Sequence, residues 1–351
     1  MSHGICLVTG GAGFIGCAIS SQLAKLYDRV IVVDNLHPQI HMSKRRPDAL
    51  YKSVELLVAD ITEPKTWDSL LSDCSPETVI HLAAETGTGQ SFSEASRHSH
   101  TNVTGTTMML DAFLRHDRLP KRIVLASSRA VYGEGAWQSF ECNTVFYPGQ
   151  RSREQLAASK WDFDGEPLPM QAGYVRPSPV SVYGATKLAQ EHILASWCNA
   201  SGSELMILRL QNVFGPGQSL INPYTGIVSL FCRMGKEGKS IPLYEDGMML
   251  RDFVLIDDVA AALIMAAHKP GIMEGVIDIG GGIPVTVKDL AKQIAEIYAA
   301  PEPHLSGDYR YGDVRHAFSK AQNTGKGLGW EPKASLQNGL RSLVDWIENR
   351  T

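Results

Sequence analysis

The chain has 351 residues, 44% of them apolar, and a formal charge of −4 from 33 basic and 37 acidic side chains. That length sustains a large core and predicts two lobes with a cleft between them, while charges interspersed along the chain argue against a nucleic-acid or membrane partner. Cys6, Cys17, Cys74, Cys142, Cys198 and Cys232 form no C-x-x-C pair and lack the histidine spacing that gathers a metal, so reduced thiols and no metal are expected.

The opening "MSHGICLVTG" passes directly into a strand-like run without a basic leader or a small-residue cleavage site, which predicts a cytoplasmic chain. Next come "RVIVVD", "VELLVAD", "TVIHLAA", "RIVLASS" and "SELMILRLQNVFG", short runs that are apolar on both sides. Helix-length segments separate them: "GCAISSQLAKLY", "PKTWDSLLSD", "NVTGTTMMLDAFLRH" and "SVYGATKLAQEHILASWCNASG". Strands buried on both faces and alternating with helices predict a doubly wound parallel sheet, a Rossmann-type α/β domain, over residues 1–212. Within it, residues 135–178 read as an inserted irregular loop with a binding or capping role. Its Trp137 and Trp161 are expected to pack the insert onto the body. After Gly215 the chain turns rich in Gly, Pro and Met to about residue 250 and reads as loops around short elements. "DDVAAALIMAAHK", "GVIDIGGG", "TVKDLAKQIAEIYAA" and "LQNGLRSLVDWIENR" then predict a smaller C-terminal α/β lobe over 213–351, with 252–268 returning to the first domain.

"VTGGAGFIG" places Gly10, Gly13 and Gly16 between the first strand and the first helix. Glycine there permits a tight turn and lets a diphosphate approach the amides at the helix N-terminus. Any tight strand-to-helix turn favours glycine, so the loop alone is weak evidence. Asp34, closing the second strand, strengthens it: a carboxylate there accepts hydrogen bonds from an adenosine ribose and repels a 2′-phosphate, favouring NAD over NADP. Asp60 and Ile61 end a third strand, and Leu82, Ala83 and Ala84 a fourth, each positioned to line the same crevice.

"YGATK" sets Tyr183 and Lys187 four apart, on one helical face. A phenol with pKa of about 10 needs a nearby cation to act as a base at neutral pH, and Lys187 is placed to supply one. Such a pair is also an ordinary amphipathic face. Ser128, at a strand end on the same edge of the sheet, adds a hydroxyl that can share a substrate oxygen with Tyr183.

With these residues in view, the chain resembles the extended short-chain dehydrogenases/reductases of the nucleotide-sugar epimerase/dehydratase family. The resemblance runs from "VTGGAGFIG" through "HLAA", "SSRAVYG", "YGATK", "LRLQNVFGPG" and "RDFVLIDDVA" to "LGWEP". It implies NAD on the first lobe, with further contacts from Phe14, Ile15, Asn35, Asn102, Ser127, Tyr183, Lys187 and Gln211. It implies a nucleotide diphosphate-sugar between the lobes, met by Glu85, Thr86, Ser128, Arg129, Asn212, Arg251 and Arg310, the arginines suiting a diphosphate. It also implies a homodimer paired through helices within 96–116 and 184–200.

Where the family's dehydratases carry an Asp-Glu pair before "VYG", this chain has Arg129 and Ala130, so dehydration loses its acid/base groups. Decarboxylation loses the same glutamate. What remains is reversible oxidation at carbon 4, and "HLAAETGTGQS", "SSRAVYGEG" and "QNVFGPGQSLINPYTGI" are most similar to 4-epimerases acting on dTDP-L-rhamnose. A UDP-sugar epimerase, a 4-ketoreductase consuming NAD(P)H, and a non-catalytic NAD-responsive regulator are the competing readings.

Overall fold

The computed structural model describes residues 4–220, 226–269, 275–320 and 324–349. Residues 221–225, inside the "QNVFGPGQSLINPYTGI" stretch, lie outside them. Seven strands form the main sheet: β1 (Ile5–Thr9), β2 (Arg29–Asp34), β3 (Glu55–Val58), β4 (Thr78–His81), β5 (Arg122–Ser128), β6 (Glu204–Leu210) and β7 (Gly275–Ile279). Their order is β7-β6-β5-β4-β1-β2-β3, and every neighbouring pair is parallel. Parallel neighbours require crossover connections, and helices supply them on both faces.

On one face, α1 (Phe14–Leu26) and α5 (Ile256–His268) bury Ile19, Leu23, Val259 and Leu263 against Val8, Val32 and Ile80. The other face carries α2 (Pro64–Asp73), α3 (Gly105–Arg115) and α4 (Val182–Ser201), whose Trp67, Phe113 and Leu194 pack on Leu7, Val79 and Ile123. Each aliphatic side chain so buried contributes about 1.5–3 kcal/mol.

The structure departs from the sequence reading at three places. "SELMILRLQNVFG" is two strands, because after Leu210 the chain leaves the main sheet and Asn212–Phe214 pairs with Leu250–Leu255 in a small three-stranded sheet. "GVIDIGGG", assigned above to the C-terminal lobe, supplies β7 at the edge of the main sheet, where Ile277 and Ile279 pair with β6 and join its core. Ile227–Lys236 is a helix in the region read as loops, because Val228, Phe231, Cys232 and Gly235 recur at helical spacing and bury one face.

The insert is also ordered. Trp137–Ser139 pairs antiparallel with Val145–Phe146 and with Gly165–Pro167. Trp137 is fully buried against Phe163 and His316, and Trp161 lies beside Tyr309, so both tryptophans pack the insert on the body. A charged cluster reinforces the junction. Arg315, 1% exposed, pairs with Asp162 at 2.8 Å, Glu245 at 3.0 Å and Asp246 at 2.7 Å. Arg151, equally buried, reaches Glu245 at 2.8 Å and Glu134 at 3.5 Å.

Candidate active site

A cavity of about 1370 Å³ runs along the carboxyl ends of the strands, where the sheet order reverses between β1 and β4. Open α/β sheets place ligands at this point because the connections diverge to opposite faces and leave a crevice.

Gly10 begins the wall. Its φ of 66° suits glycine, and a Cβ there would stand 2.6 Å from the Ala83 nitrogen. Gly10→Ala is therefore expected to cost about 1–3 kcal/mol of stability and to weaken NAD binding. Melting curves with and without NAD check both parts; wild-type behaviour in both contradicts the expectation. Gly13, Phe14 and Ile15 line the cavity, and Gly13 caps α1 without a side-chain hydrogen bond. The first-turn amides are thus left without a side-chain cap at the positive end of the helix. Gly16 does not line the cavity. A Cβ there would meet the Gly11 Cα at 2.3 Å, so this glycine serves the close seating of α1 on the loop.

Asp34 lines the cavity, its carboxylate already accepting the amides of Ala12 at 3.0 Å and Leu36 at 2.9 Å, with lone pairs left for a ribose. Asn35 donates to Asp60 at 2.9 Å. Burial works to raise the Asp60 carboxyl, but hydrogen bonds from Asn35 and Thr62 outweigh it and leave the group below its ordinary value. Ile61, Leu82, Ala83, Ala84, Glu85 and Thr86 continue the wall. Asn102 lies behind it on a π-helical turn, where its side chain bonds both the N–H and the C=O of Glu85 and the Thr186 hydroxyl.

Alternation along β5 separates the two serines. Ser127 turns inward and donates to Glu191 at 2.5 Å, away from the cavity. Ser128 lines the cavity and accepts the Ala130 amide at 3.1 Å, which starts the 3₁₀ turn Arg129–Tyr132. Helix α4 sits close to this turn because Gly184 faces it; a Cβ there would be 2.5 Å from the Ala130 oxygen. The close approach brings Tyr183 into the cavity wall together with Ser128.

Burial pushes the Tyr183 phenol above its ordinary value, while the Ser128 hydroxyl and the Arg129 guanidinium draw it back. Lys187, expected from its spacing to supply that cation, is buried beneath the wall and donates its amine to Gln190 at 2.7 Å. Burial lowers it to about 7, with Glu191 opposing. Arg129 lines the cavity and donates to Asn212 at 3.2 Å. Burial, then Arg251, brings its pKa down to about 9.

Arg251 and Arg310 do not reach the wall. Arg251 donates to the carbonyls of Leu250, Arg315 and Val314, and Arg310 is exposed, stacked 5.0 Å above the Tyr244 ring. Sequence reasoning missed His37, His41, Arg45, Arg46 and Trp346, which line the cavity from loops or a distant helix that carry no motif, and Gln218, which lies within "QNVFGPGQSLINPYTGI" but was not singled out.

The wall suits a dinucleotide: bare glycines at an uncapped helix end, a carboxylate at the end of β2, and small residues at the end of β4. Gln211, also in the wall, has a buried Oε1 with no hydrogen-bond partner, an acceptor left for a ligand.

Comparison with known proteins agrees. Residues 6–280 match the model of the NAD dependent epimerase/dehydratase family. The chain is 56% identical to a dTDP-L-rhamnose 4-epimerase of Burkholderia thailandensis over 97% of its own length and 94% of the relative's. It is also similar to the solved UDP-glucose 4-epimerase of Thermotoga maritima with UDP-glucose, at 29% identity, 99% coverage of both chains and a TM-score of 0.79. The UDP-glucose 4-epimerase of Thermus thermophilus, solved with NAD, matches at 27% identity, 99% and 100% coverage and a TM-score of 0.77. With its parallel sheet, its glycine loop and these matches, the chain belongs to the NAD-dependent epimerase/dehydratase family of extended short-chain dehydrogenases/reductases, and its cofactor is NAD.

Proposed function

We propose that this chain is a nucleotide-sugar 4-epimerase that interconverts dTDP-L-rhamnose and dTDP-6-deoxy-L-talose. The observation that carries it is that Ser128 and Tyr183 line one cavity wall together, flanked by Arg129 and Ala130 instead of an acid/base carboxylate pair. The relative of 56% identity supports the choice of sugar and nucleobase.

Bound NAD would supply a hydride acceptor and, in the return step, a hydride donor for carbon 4. Gly10, Gly13, Phe14, Ile15, Asp34 and Gln211 are the residues that hold it. Tyr183 takes the proton of the 4-hydroxyl as the carbon–hydrogen bond breaks, and the Ser128 hydroxyl donates to the same oxygen. The resulting 4-keto sugar turns within the cleft and presents its other face. Tyr183 then gives the proton back to the oxygen, so the product is the 4-epimer with no net oxidation. Arg129 stays beside this oxygen as a fixed cation, and positioning carries most of the acceleration.

In the same reading, residues 1–212 serve NAD, with the 135–178 insert as a brace, and 213–351 chiefly hold the nucleotide sugar. Arg251 and Arg310 approach its diphosphate as the lobes close. The working form is a homodimer in the cytoplasm.

The test is incubation with a panel of nucleotide sugars, dTDP-L-rhamnose among them, in deuterated water without added cofactor. Inversion at carbon 4 with no ring deuterium is the expected result. Deuterium at carbon 3 or 5, or a stoichiometric need for NAD(P)H, overturns it, the latter in favour of a 4-ketoreductase.

A further inference from the structure

Behind the cavity wall, a run of buried polar side chains leads from the Lys187 amine to the strand ends. Lys187 Nζ donates to Gln190 Oε1 at 2.7 Å. The Gln190 amide nitrogen meets His81 Nε2 at 3.1 Å and Thr106 Oγ1 at 2.8 Å. With Nε2 accepting, the assigned tautomer of His81 carries its proton on Nδ1, 2.7 Å from Thr9 Oγ1. Thr9 Oγ1 accepts the N–H of Ala83, a cavity residue, at 3.3 Å. On the other branch, Thr106 donates to the Asn102 carbonyl at 2.6 Å, and the Asn102 side chain grips Glu85 and Thr186.

Gln190, Thr9, Thr106 and Asn102 are fully buried. If this face of α4 had only to pack, leucine or methionine would fill it without polar atoms to satisfy. Instead a glutamine stands there with both ends of its amide engaged. It links the helix that carries Tyr183 and Lys187 to β1 and β4, whose ends form the cofactor side of the cavity.

We propose that Gln190 is a positioning residue for Lys187: it fixes the amine against the ends of β1 and β4 and does so with a neutral acceptor, leaving the charge of the amine free to respond to its surroundings. The groups facing that amine are few. Glu191, on the same helix, favours the charged form, but it is itself bound bidentately by Arg209 of β6 at 3.0 and 2.6 Å and by Ser127 of β5. His81 of β4 is kept neutral by burial, which lowers it to about 3, with Lys187 adding to the effect. Tyr183 lies one turn earlier on α4, and the Arg129 guanidinium acts on that phenol. A carboxylate in place of the Gln190 amide would pin the proton on Lys187 across the working pH range.

Only the kinetic arm of the test rests on the epimerase reading. Full-length chain loaded with NAD and labelled at lysine ¹³Cε is titrated by NMR, the Lys187 signal being identified by its loss in Lys187→Met. Gln190→Glu is expected to move the Lys187 midpoint up by about 1–3 pH units, and Gln190→Leu to move it down. In turnover, Gln190→Leu is expected to lower kcat about 10- to 100-fold while KM for the sugar stays near its wild-type value. The alkaline limb of the kcat profile should follow the NMR midpoint in each variant, and Gln190→Glu should recover most of the rate at its own optimum. A purely structural glutamine would lower the melting temperature and leave the Lys187 midpoint unmoved in both variants; that result overturns the proposal. If Gln190→Leu does not fold, Gln190→Glu decides alone. If the wild type turns over no sugar, the epimerase reading fails while the titration still decides the role of Gln190.

Discussion

Tyr183→Phe is expected to lower kcat roughly a thousandfold while leaving the fold and NAD binding in place. The phenol oxygen is the acceptor of the 4-hydroxyl proton in the proposed reaction, and the Ser128 hydroxyl, which lines the same cavity, cannot replace it. A serine hydroxyl ionises far more weakly than a phenol, and among the described residues the Ser128 hydroxyl has a hydrogen bond from the Ala130 amide, a donor and not a base. The phenylalanine ring fills nearly the same volume, so a loss of rate reports chemistry and not packing. Because burial already raises the Tyr183 phenol, removing its hydroxyl should not destabilise the chain. Single-turnover conversion measured by NMR, beside a melting curve with NAD, checks the expectation. A variant that keeps more than about a tenth of the rate would remove Tyr183 from the reaction.

The largest stability effect is expected at Arg315. Arg315→Met should cost about 3–5 kcal/mol, the penalty for stripping one partner from a buried ionic cluster. Glu245, 1% exposed, would keep Arg151 alone, and Asp162 and Asp246 would lose their bidentate bonds to the guanidinium. Since the same cluster ties the insert to residues 245–246 and 315–316, its loss should loosen the insert before the main sheet. Urea unfolding followed by total fluorescence and by hydrogen exchange within 135–178 checks both statements. Adding Glu245→Gln to Arg315→Met should restore part of the loss by removing the stranded carboxylate; equal losses in the single and double variants would contradict the account.

The pH dependence of this cluster follows from its carboxyls. His316 and Arg315 hold Asp162 well below its ordinary 3.8, so the stability it contributes is present above about pH 3.8 and is lost as the pH falls below. Glu134 runs the other way. Burial raises it from 4.5 to about 7 against the pull of Arg151, so the folded chain binds its proton more readily than the unfolded one, and stability from this group falls as pH rises from about 4.5 to about 7. In Arg315→Met the acid-side loss should shrink but persist, because the Arg315 contribution is gone while His316, at 3.1 Å, still holds Asp162 below its ordinary value.

The glycine loop, Asp34, the ends of β3 and β4, Ser128 and the Tyr183–Lys187 pair were legible because each is a local event at a strand end or on one helical turn. The face of a strand-end residue was not. Ser127 and Ser128 differ by one position, and only the packing of α4 against β5 sends the first to Glu191 and the second to the cavity. Arg251 and Arg310 match the family's pattern by position, yet one is occupied by three backbone carbonyls and the other is stacked in solvent.

The sequence by itself determined most of the order of elements, the parallel α/β class, NAD as cofactor and the pair of hydroxyls proposed to react, since hydrophobic period and turn chemistry act over a few residues. Tertiary structure alone decided which buried polar groups meet. Lys187 was set by its spacing beside Tyr183, but its amine answers to Gln190 and, through it, to His81, 109 positions from that glutamine. Arg315 likewise finds Asp162 across 153 positions. A buried charge or amide must find a partner somewhere in the fold, and no local pattern records where, because the requirement is met only when distant segments are brought together.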